Sequence, residues 1–207
     1  MEQKIELGTD KIFPFWKRAI DLIMVLIVIL PVTILIILAS FWILIIDGPP
    51  VIYKQSRVGI GLKLFNIYKL KTMLSNKSNQ SSVTIKDDPR IIRGGHFLRS
   101  LKIDELPQLF NVIKGDMSLV GPRPTVEEDY QKMSDLQKKR ALVPPGITGL
   151  AQVNGNTTLN WPERIKYDLE YVQKLSFLQD LKILLKTLFL LIANKAHTNP
   201  SKQDEWS

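Results

Sequence analysis

The longest pattern in the chain is apolar. From Ala19 to Ile46 the sequence is almost unbroken hydrocarbon, interrupted by Asp21 near its start and Pro31 near its centre. About 20 apolar residues suffice to span a bilayer, so the run is long enough. A secretory signal fits less well, because the run exceeds an h-region and no small-x-small cleavage site follows it. The flanks complicate a simple span. Lys11, Lys17 and Arg18 precede the run, and Lys54, Arg57, Lys63, Lys69 and Lys71 follow it. The positive-inside rule asks for a basic excess on one side only. A helix that enters, breaks and returns to the same face satisfies both flanks. Pro31 offers the break, since it lacks an N–H and its ring clashes with the carbonyl four residues earlier. Two arms of about 12–15 residues reach only part-way through a hydrocarbon core about 30 Å thick. Asp21 then lies near the interface, where Lys17 or Arg18 can pair with it. The residues alone support this hairpin and a kinked single span equally, because proline kinks occur in ordinary spanning helices.

Behind the run the pattern changes to mixed polarity, which fits one compact domain. Gly48-Pro49-Pro50 ends the apolar segment with residues that cannot continue a helix. Val51-Ile52-Tyr53 and Leu64-Phe65-Asn66-Ile67-Tyr68, around Gly59 and Gly61, predict short strands or extended structure. Ser75 to Ser82 is polar and low in complexity, which predicts a mobile loop. Helices are predicted over 90–101, over 104–114 with a stop at Gly115, over 125–142 as a charged exposed helix, and over 163–175 as an amphipathic one. Leu181 to Ala193 is apolar apart from Lys182, Lys186 and Thr187, and too short to span. It fits an interfacial helix with snorkelling lysines and a core helix equally well. The expected organisation is a basic flank over 1–18, a membrane hairpin over 19–46, a cytosolic domain over 47–195 and a polar tail over 196–207. The expected class is α+β and mainly helical.

Composition narrows the chemistry. The formal net charge of +8, from 28 Lys+Arg against 20 Asp+Glu, suits a polyanionic partner. The absence of cysteine removes disulfides, thiolate metal sites and thiol nucleophiles. Only His96 and His197 are present, so histidine triads and clusters are improbable. Covalent or metal chemistry therefore rests on carboxylates.

The densest constellation of charge and stiff backbone is RSLKIDELPQLFNVIKGDMSLVGPRP, from Arg99 to Pro124. Asp104 and Glu105 are adjacent, with Arg99 and Lys102 just upstream. Pro107 is tolerated only in a first helical turn, which predicts a helix starting at the acidic pair. A helix start favours ionised carboxylates and attracts phosphate. An isolated Asp-Glu pair more often only caps a helix. Here Pro122-Arg123-Pro124 holds an arginine on an extended stretch suited to bidentate phosphate contact. Pro144-Pro145-Gly146-Ile147-Thr148-Gly149 supplies a second rigid loop. Paired carboxylates within two rigid loops and a basic shell point to phosphoryl transfer, with Mg²⁺ as the expected cofactor. Asp87-Asp88-Pro89 reads less well as a metal pair than as a helix cap with Pro89 at the first position. Trp161 with Arg164 offers a stacking surface for a base or sugar, though a packed tryptophan is at least as well supported.

These segments resemble a known family. KRAIDL, the apolar run with its central proline, PPVIYKQSRVG, FNIYKLKTM, DDPRI, LRSLKIDELPQLFNVIKGDMSLVGPRP, PPGITGLAQVNGN and WPERIKYDLEYV are similar to the bacterial sugar transferases, the monotopic polyprenol-phosphate phosphoglycosyl transferases. The resemblance covers about Lys17 to Ile192, and the stretch from Asp104 to Pro124 is its most specific part. It implies a two-step reaction that opens bacterial glycoconjugate assembly (exopolysaccharide, capsule, O-antigen or glycoprotein). Asp104 attacks the β-phosphate of a UDP-sugar, UMP leaves, and polyprenol (undecaprenyl) phosphate takes the phosphosugar from the enzyme. By the same resemblance Glu105 holds Mg²⁺, Arg123 binds the nucleotide sugar's phosphate, and Arg99 binds phosphate at the membrane surface. Lys69, Pro122, Pro124 and Gln152 complete the substrate-binding candidates. The implied topology is a re-entrant helix broken at Pro31, on the cytoplasmic face of the bacterial inner membrane. Leu30-Pro31 stands where described members carry Ser-Pro, which leaves the angle of the break unspecified. The chain resembles the minimal catalytic unit of the family. Phospholipid is an expected partner and nucleic acid is not, because the basic residues are scattered and aromatics are few. The sequence sets neither the sugar nor the oligomeric state, a homodimer included.

Two alternatives explain part of the pattern. A membrane-anchored basic module for anionic lipid or nucleic acid accounts for the charge and the apolar run, but not for the acidic pair. Direct glycosyl transfer at Asp87-Asp88 would release UDP instead of UMP.

Overall fold

The computed structural model describes residues 12–74 and 88–193. Its first element, α1 (Phe15–Asp47), is a single helix of 33 residues, about 50 Å long. Pro14 precedes it in an extended conformation, and Gly48, at φ +69°, ends it. By length and composition it can cross a membrane. The break expected at Pro31 does not interrupt it. Proline removes one amide donor, while Ile29, Val32 and Ile36 on either side stay packed against the domain.

One stripe of α1 faces protein. Lys17, Asp21 and Val25 recur every four residues, and Ala39 and Ile43 continue the stripe. The other faces expose Leu26, Ile27, Leu30, Ile34, Leu38 and Phe41. Both ends are bonded to the same domain. At the start, the Lys17 ammonium meets Asp180 at 2.6 Å, and Arg18 donates to the carbonyls of Val112 and Ile113. Asp21 accepts from the Leu119 amide at 3.0 Å, in place of the expected pairing with Lys17 or Arg18. At the far end, Trp42 Nε1 donates to the Arg93 carbonyl at 3.3 Å, and Asp47 pairs with Lys71 at 2.6 Å.

The predicted extended runs form an antiparallel hairpin, β1 (Ile52–Val58) and β2 (Leu64–Leu70), with Arg57 opposite Phe65. Gly61, at φ +57°, allows the turn between them. Helix α2 (Gly95–Ser100) is shorter than the expected 90–101, because Gly94 sits at φ +79° and cannot be helical. Helix α3 (Gln108–Lys114) ends at Gly115, as expected. It begins after the acidic pair, with Pro107 at its N-cap. Asp104 and Glu105 instead occupy a separate 3-10 turn, Ile103–Glu105.

The two rigid loops belong to one parallel pair, β3 (Ser118–Val120) and β4 (Gly146–Thr148). The exposed helix predicted over 125–142 is divided into α4 (Glu127–Gln131), α5 (Asp135–Lys138) and a 3-10 turn over Lys139–Leu142. Ser134 restarts the chain with a capping box to Gln137, and burial of Tyr130, Met133 and Ala141 folds the segment over the core. After α6 (Leu150–Val153), α7 (Trp161–Gln173) matches the predicted amphipathic helix, capped by Asn160 and Glu163.

The last helix, α8 (Phe177–Ile192), is longer than predicted and combines the two readings offered for it. Ile183, Leu184 and Leu190 pack into the core. Leu178, Leu181, Leu185, Leu188, Phe189 and Ile192 form an exposed apolar stripe, as in helices that lie in a membrane interface. The expected loop over 75–82 lies outside the described residues, as do Asp87 and the polar tail.

Candidate active site

The left-handed conformation of Lys102, at φ +58°, turns the chain into the acidic pair. Asp104 and Glu105 are each only 7% exposed. Two cations from distant parts of the chain close on Glu105. Lys69 Nζ, from β2, lies 2.8 Å from Oε1, and Arg123, from the loop after β3, places its guanidinium 2.7 Å from the same oxygen and 3.5 Å from Oε2. Burial pushes the Glu105 carboxyl upward, but Arg123, Lys69 and Lys102 outweigh burial and hold it well below the ordinary glutamate range. Glu105 is therefore a fixed anion.

Asp104 has the opposite environment. Burial raises its carboxyl above the ordinary aspartate value, and the Glu105 charge raises it further, while Lys69, Lys102 and Arg99 oppose both. Its Oδ1 is buried and has no hydrogen-bond partner among the described residues. Adjacent carboxylates with proton affinities pushed apart are the usual mark of divided roles. Lys69 is shifted as well: burial, then the charge of Arg123, pull its ammonium below the ordinary range in spite of Glu105.

The backbone around Arg123 is fixed from two sides. The Ser118 amide donates to the Pro145 carbonyl at 2.8 Å, Gly121 to Thr148 at 2.9 Å, and Gly146 to Pro122 at 2.9 Å. The two loops predicted to be rigid are thus hydrogen-bonded to each other. Their contact requires glycine: a Cβ on Gly146 would stand 2.0 Å from the Gly121 nitrogen. On the other side, buried Arg140 donates to the Arg123 carbonyl at 2.8 Å and to Thr125 Oγ1 at 3.1 Å. Asp168 holds Arg140 through contacts of 2.6 and 2.8 Å.

Of the residues singled out in the sequence, Asp104, Glu105, Lys69 and Arg123 come together. Arg99, at the end of α2, adds its charge to the field at Asp104. Pro122 and Pro124 are buried beside Arg123. Gln152 sits on α6, where a Cβ on Gly149 would meet its Oε1 at 2.7 Å, and both polar atoms of its amide are buried without partners. Asp88 departs from its expected role. It accepts from the Arg90 amide at 3.0 Å and grips the Arg90 guanidinium at 2.6 and 2.9 Å, in a turn five residues before the first helical turn of α2. Trp161 is a core residue, flanked by the guanidinium groups of Arg164 and Arg140 at 5.4 and 6.0 Å from its ring.

Sequence reasoning passed over three functional candidates. Arg140 and Asp168 form their pair across 28 residues, without periodicity to reveal it. In the sequence Arg57 stands out only as one of the charges that flank the apolar run. Its strand is tied to the Arg123 loop through the Val58 amide and the Thr125 carbonyl at 2.9 Å. Burial and the neighbouring Arg123 charge lower its proton affinity, and its Nε is buried without a partner. The Arg57 guanidinium thus lies within the field of the Arg123 charge.

The acidic pair suits Mg²⁺ only if most of the ligands come from outside the chain, since Lys69 and Arg123 already engage Glu105. Mg²⁺ keeps several waters and uses one or two carboxylates plus substrate phosphates, rather than a cage of protein ligands. The described residues contain no cluster of three or more acidic or histidine side chains, but they offer Glu105 and the unpartnered buried oxygen of Asp104.

The site is thus an acidic pair with divided electrostatics under a clamp of cations, on a domain joined to a long apolar helix. The sequence profile of the bacterial sugar transferases matches residues 12–194, and the chain belongs to that family. It is 38% identical over 193 residues to the undecaprenyl-phosphate galactose phosphotransferase of Salmonella typhimurium, covering 84% of this chain and 40% of that protein. It is 35% identical over 190 residues to the UDP-glucose:undecaprenyl-phosphate glucose-1-phosphate transferase of Escherichia coli K12, covering 87% and 41%. With the exopolysaccharide production protein ExoY of Sinorhizobium fredii the identity is 34% over 188 residues, covering 83% of each. The chain thus spans about two fifths of the length of the Salmonella and Escherichia proteins.

Proposed function

We propose that this chain moves a sugar-1-phosphate from a UDP-sugar onto undecaprenyl phosphate at the cytoplasmic face of the bacterial inner membrane. The observation that carries this reading is the polarised pair. Glu105 is locked as an anion by Lys69 and Arg123, while Asp104 keeps a buried, unpartnered oxygen and a raised proton affinity. In the first step an Asp104 carboxylate oxygen attacks the β-phosphorus, the bond to the bridging oxygen breaks, and UMP leaves with that oxygen. Arg123 and Arg57 neutralise charge that builds on the diphosphate. In the second step a phosphate oxygen of the lipid attacks the same phosphorus, and the Asp104 carboxylate is released. Mg²⁺, held by Glu105, would supply further neutralisation of the diphosphate. A covalent relay suits a donor that arrives from water and an acceptor that arrives from lipid, because each uses the site in turn.

The same reading keeps α1 in one leaflet, with both of its ends on the cytoplasmic side, although the helix is not broken at Pro31. Its two ends are bonded to one domain, through Lys17 and Arg18 at the start and Trp42 and Asp47 at the end. A helix of this length crossing the bilayer along its normal would hold those ends on opposite sides. The exposed apolar stripe of α8 supports the domain lying against the same leaflet.

The experiment is product analysis. Purified protein given a UDP-sugar and undecaprenyl phosphate should release UMP, and Asp104→Asn should reduce release to background. Without acceptor, the wild type should gain one phosphosugar mass on Asp104. Release of UDP, or substantial turnover by Asp104→Asn when deamidation is excluded, overturns the reading.

A further inference from the structure

An apolar cleft of about 300 Å³ lies between α1 and the segment that leads out of the acidic pair. Val32, Thr33 and Ile36 line it from the membrane helix, and Leu106, Pro107 and Phe110 from the other side. Leu106, one of the lining residues, follows Glu105 directly in the chain, so the two sites share a backbone segment. The helix that forms one wall, α1, exposes apolar side chains on its remaining faces. The Phe110 ring, itself exposed, meets the Tyr68 ring edge-on at 5.7 Å and forms part of the rim.

We propose that this cleft is the seat for the first isoprene units of the acceptor's polyprenyl chain. The inference rests on the transfer reaction proposed above and adds where its lipid lies. A ligand that uses both the cleft and the dyad must be apolar for most of its length and carry phosphate at one end. The volume stands at the low end of small-molecule sites, which suits the head of a single chain rather than the paired tails of a phospholipid. The walls are mainly valine, isoleucine, leucine and phenylalanine, so an apolar chain gains by leaving water for them. A chain seated here points its phosphate toward Asp104 and its far end into the bilayer. Pro31 adjoins the lining residues Val32 and Thr33, so the helix lacks one backbone donor beside the seat.

Two measurements test the seat, and the first does not depend on activity. Protein in nanodiscs is photolabelled with a polyprenyl phosphate that carries a diazirine on its second isoprene unit. The label should map to residues 32–36 and 106–113, and excess undecaprenyl phosphate should remove it while phosphatidylglycerol does not. Equal competition by phosphatidylglycerol would mean that bulk lipid fills the cleft, and labelling elsewhere would mean that the chain takes another path; either result overturns the proposal. In the second, Thr33→Trp, at an exposed position, fills the cleft and should raise the KM for undecaprenyl phosphate at least tenfold. Phe110→Ala, which opens the rim, should raise it as well. The burst of UMP released without acceptor reports how much of each sample is folded and reactive. An unchanged acceptor KM in both variants refutes the seat. A wild type that labels at the cleft and yet releases no UMP would refute the transfer reaction while leaving the seat in place.

Discussion

Asp168→Asn removes the charge that balances Arg140 inside the domain, where the two side chains are 2% and 4% exposed. Breaking a buried pair by neutralising one partner costs about 3–5 kcal/mol, because the remaining charge is left in a poor solvent. Domains are stable by only about 5–15 kcal/mol. For a chain of this size about 2–4 °C of Tm is lost per kcal/mol, so unfolding followed by tryptophan fluorescence should shift down by about 6–20 °C. Replacing both partners with apolar groups has a different outcome. Burial pushes the Asp168 carboxyl above its ordinary value although Arg140 opposes the shift, so the charged pair is itself costly to bury. The double variant Arg140→Met, Asp168→Leu should recover most of the lost Tm. It should not recover activity, because the grip of Arg140 on the Arg123 carbonyl and on Thr125 is gone. A loss of at least tenfold in kcat/KM, about 1.4 kcal/mol of transition-state binding, should remain in UMP release. A double variant that regains both Tm and kcat/KM would show that the hold of Arg140 on the Arg123 loop does not matter for turnover. A wild-type Tm in Asp168→Asn would refute the argument from buried charge.

Three further outcomes are expected. Arg123→Lys should lose more than about tenfold in kcat/KM, since an ammonium supplies charge without the planar fork; near-normal kinetics would demote Arg123 to a structural residue. The UMP burst should rise with pH through the Asp104 ionisation, because only the carboxylate attacks and its proton affinity lies above the ordinary value; Glu105→Gln removes one cause of that elevation, so the acid limb of its residual burst should move to lower pH, and a limb that stays in place refutes the coupling. Cysteines introduced singly at Glu6 and Ser56, unique in a chain without cysteine, should both resist membrane-impermeant thiol reagents added to intact cells; labelling at position 6 alone would mean that α1 spans.

The site was legible in the sequence where its parts lie close together. Asp104-Glu105, the stiff Pro122-Arg123-Pro124 and the Gly-Pro-rich turn at 144–149 each carry their chemistry within a few residues. What joins them is long-range: Lys69 reaches Glu105 across 36 residues and Arg123 across 18, and neither distance leaves a period to read. The helical misreadings have local causes that were present in the chain. The charged stretch 125–142 reads as one exposed helix, yet Ser134 and Gln137 already spell a capping box and therefore a restart. Gly94 likewise marks where a helix could not begin earlier. The burial of charge at Asp21 and Lys17 was not legible, because an apolar run surrounds them and their partners lie about 100 and 160 residues away.

The contact between Lys17 and Asp180 joins residues 163 positions apart, and Tyr171 completes it by donating to the second Asp180 oxygen at 2.7 Å. During synthesis Lys17 leaves the ribosome long before its partner exists. At about 5–20 residues per second the delay is about 8–30 s. Throughout that interval the apolar helix can engage the bilayer, but its basic start has no carboxylate to receive it and stays hydrated at the headgroups. Arrival of α8 then closes the structure, drawing the helix start into the core as α8 packs against β3 and β4. A nascent chain halted before residue 180 would therefore be held by the membrane with its domain unlatched, and the last helix to be made would decide when the first one comes to rest.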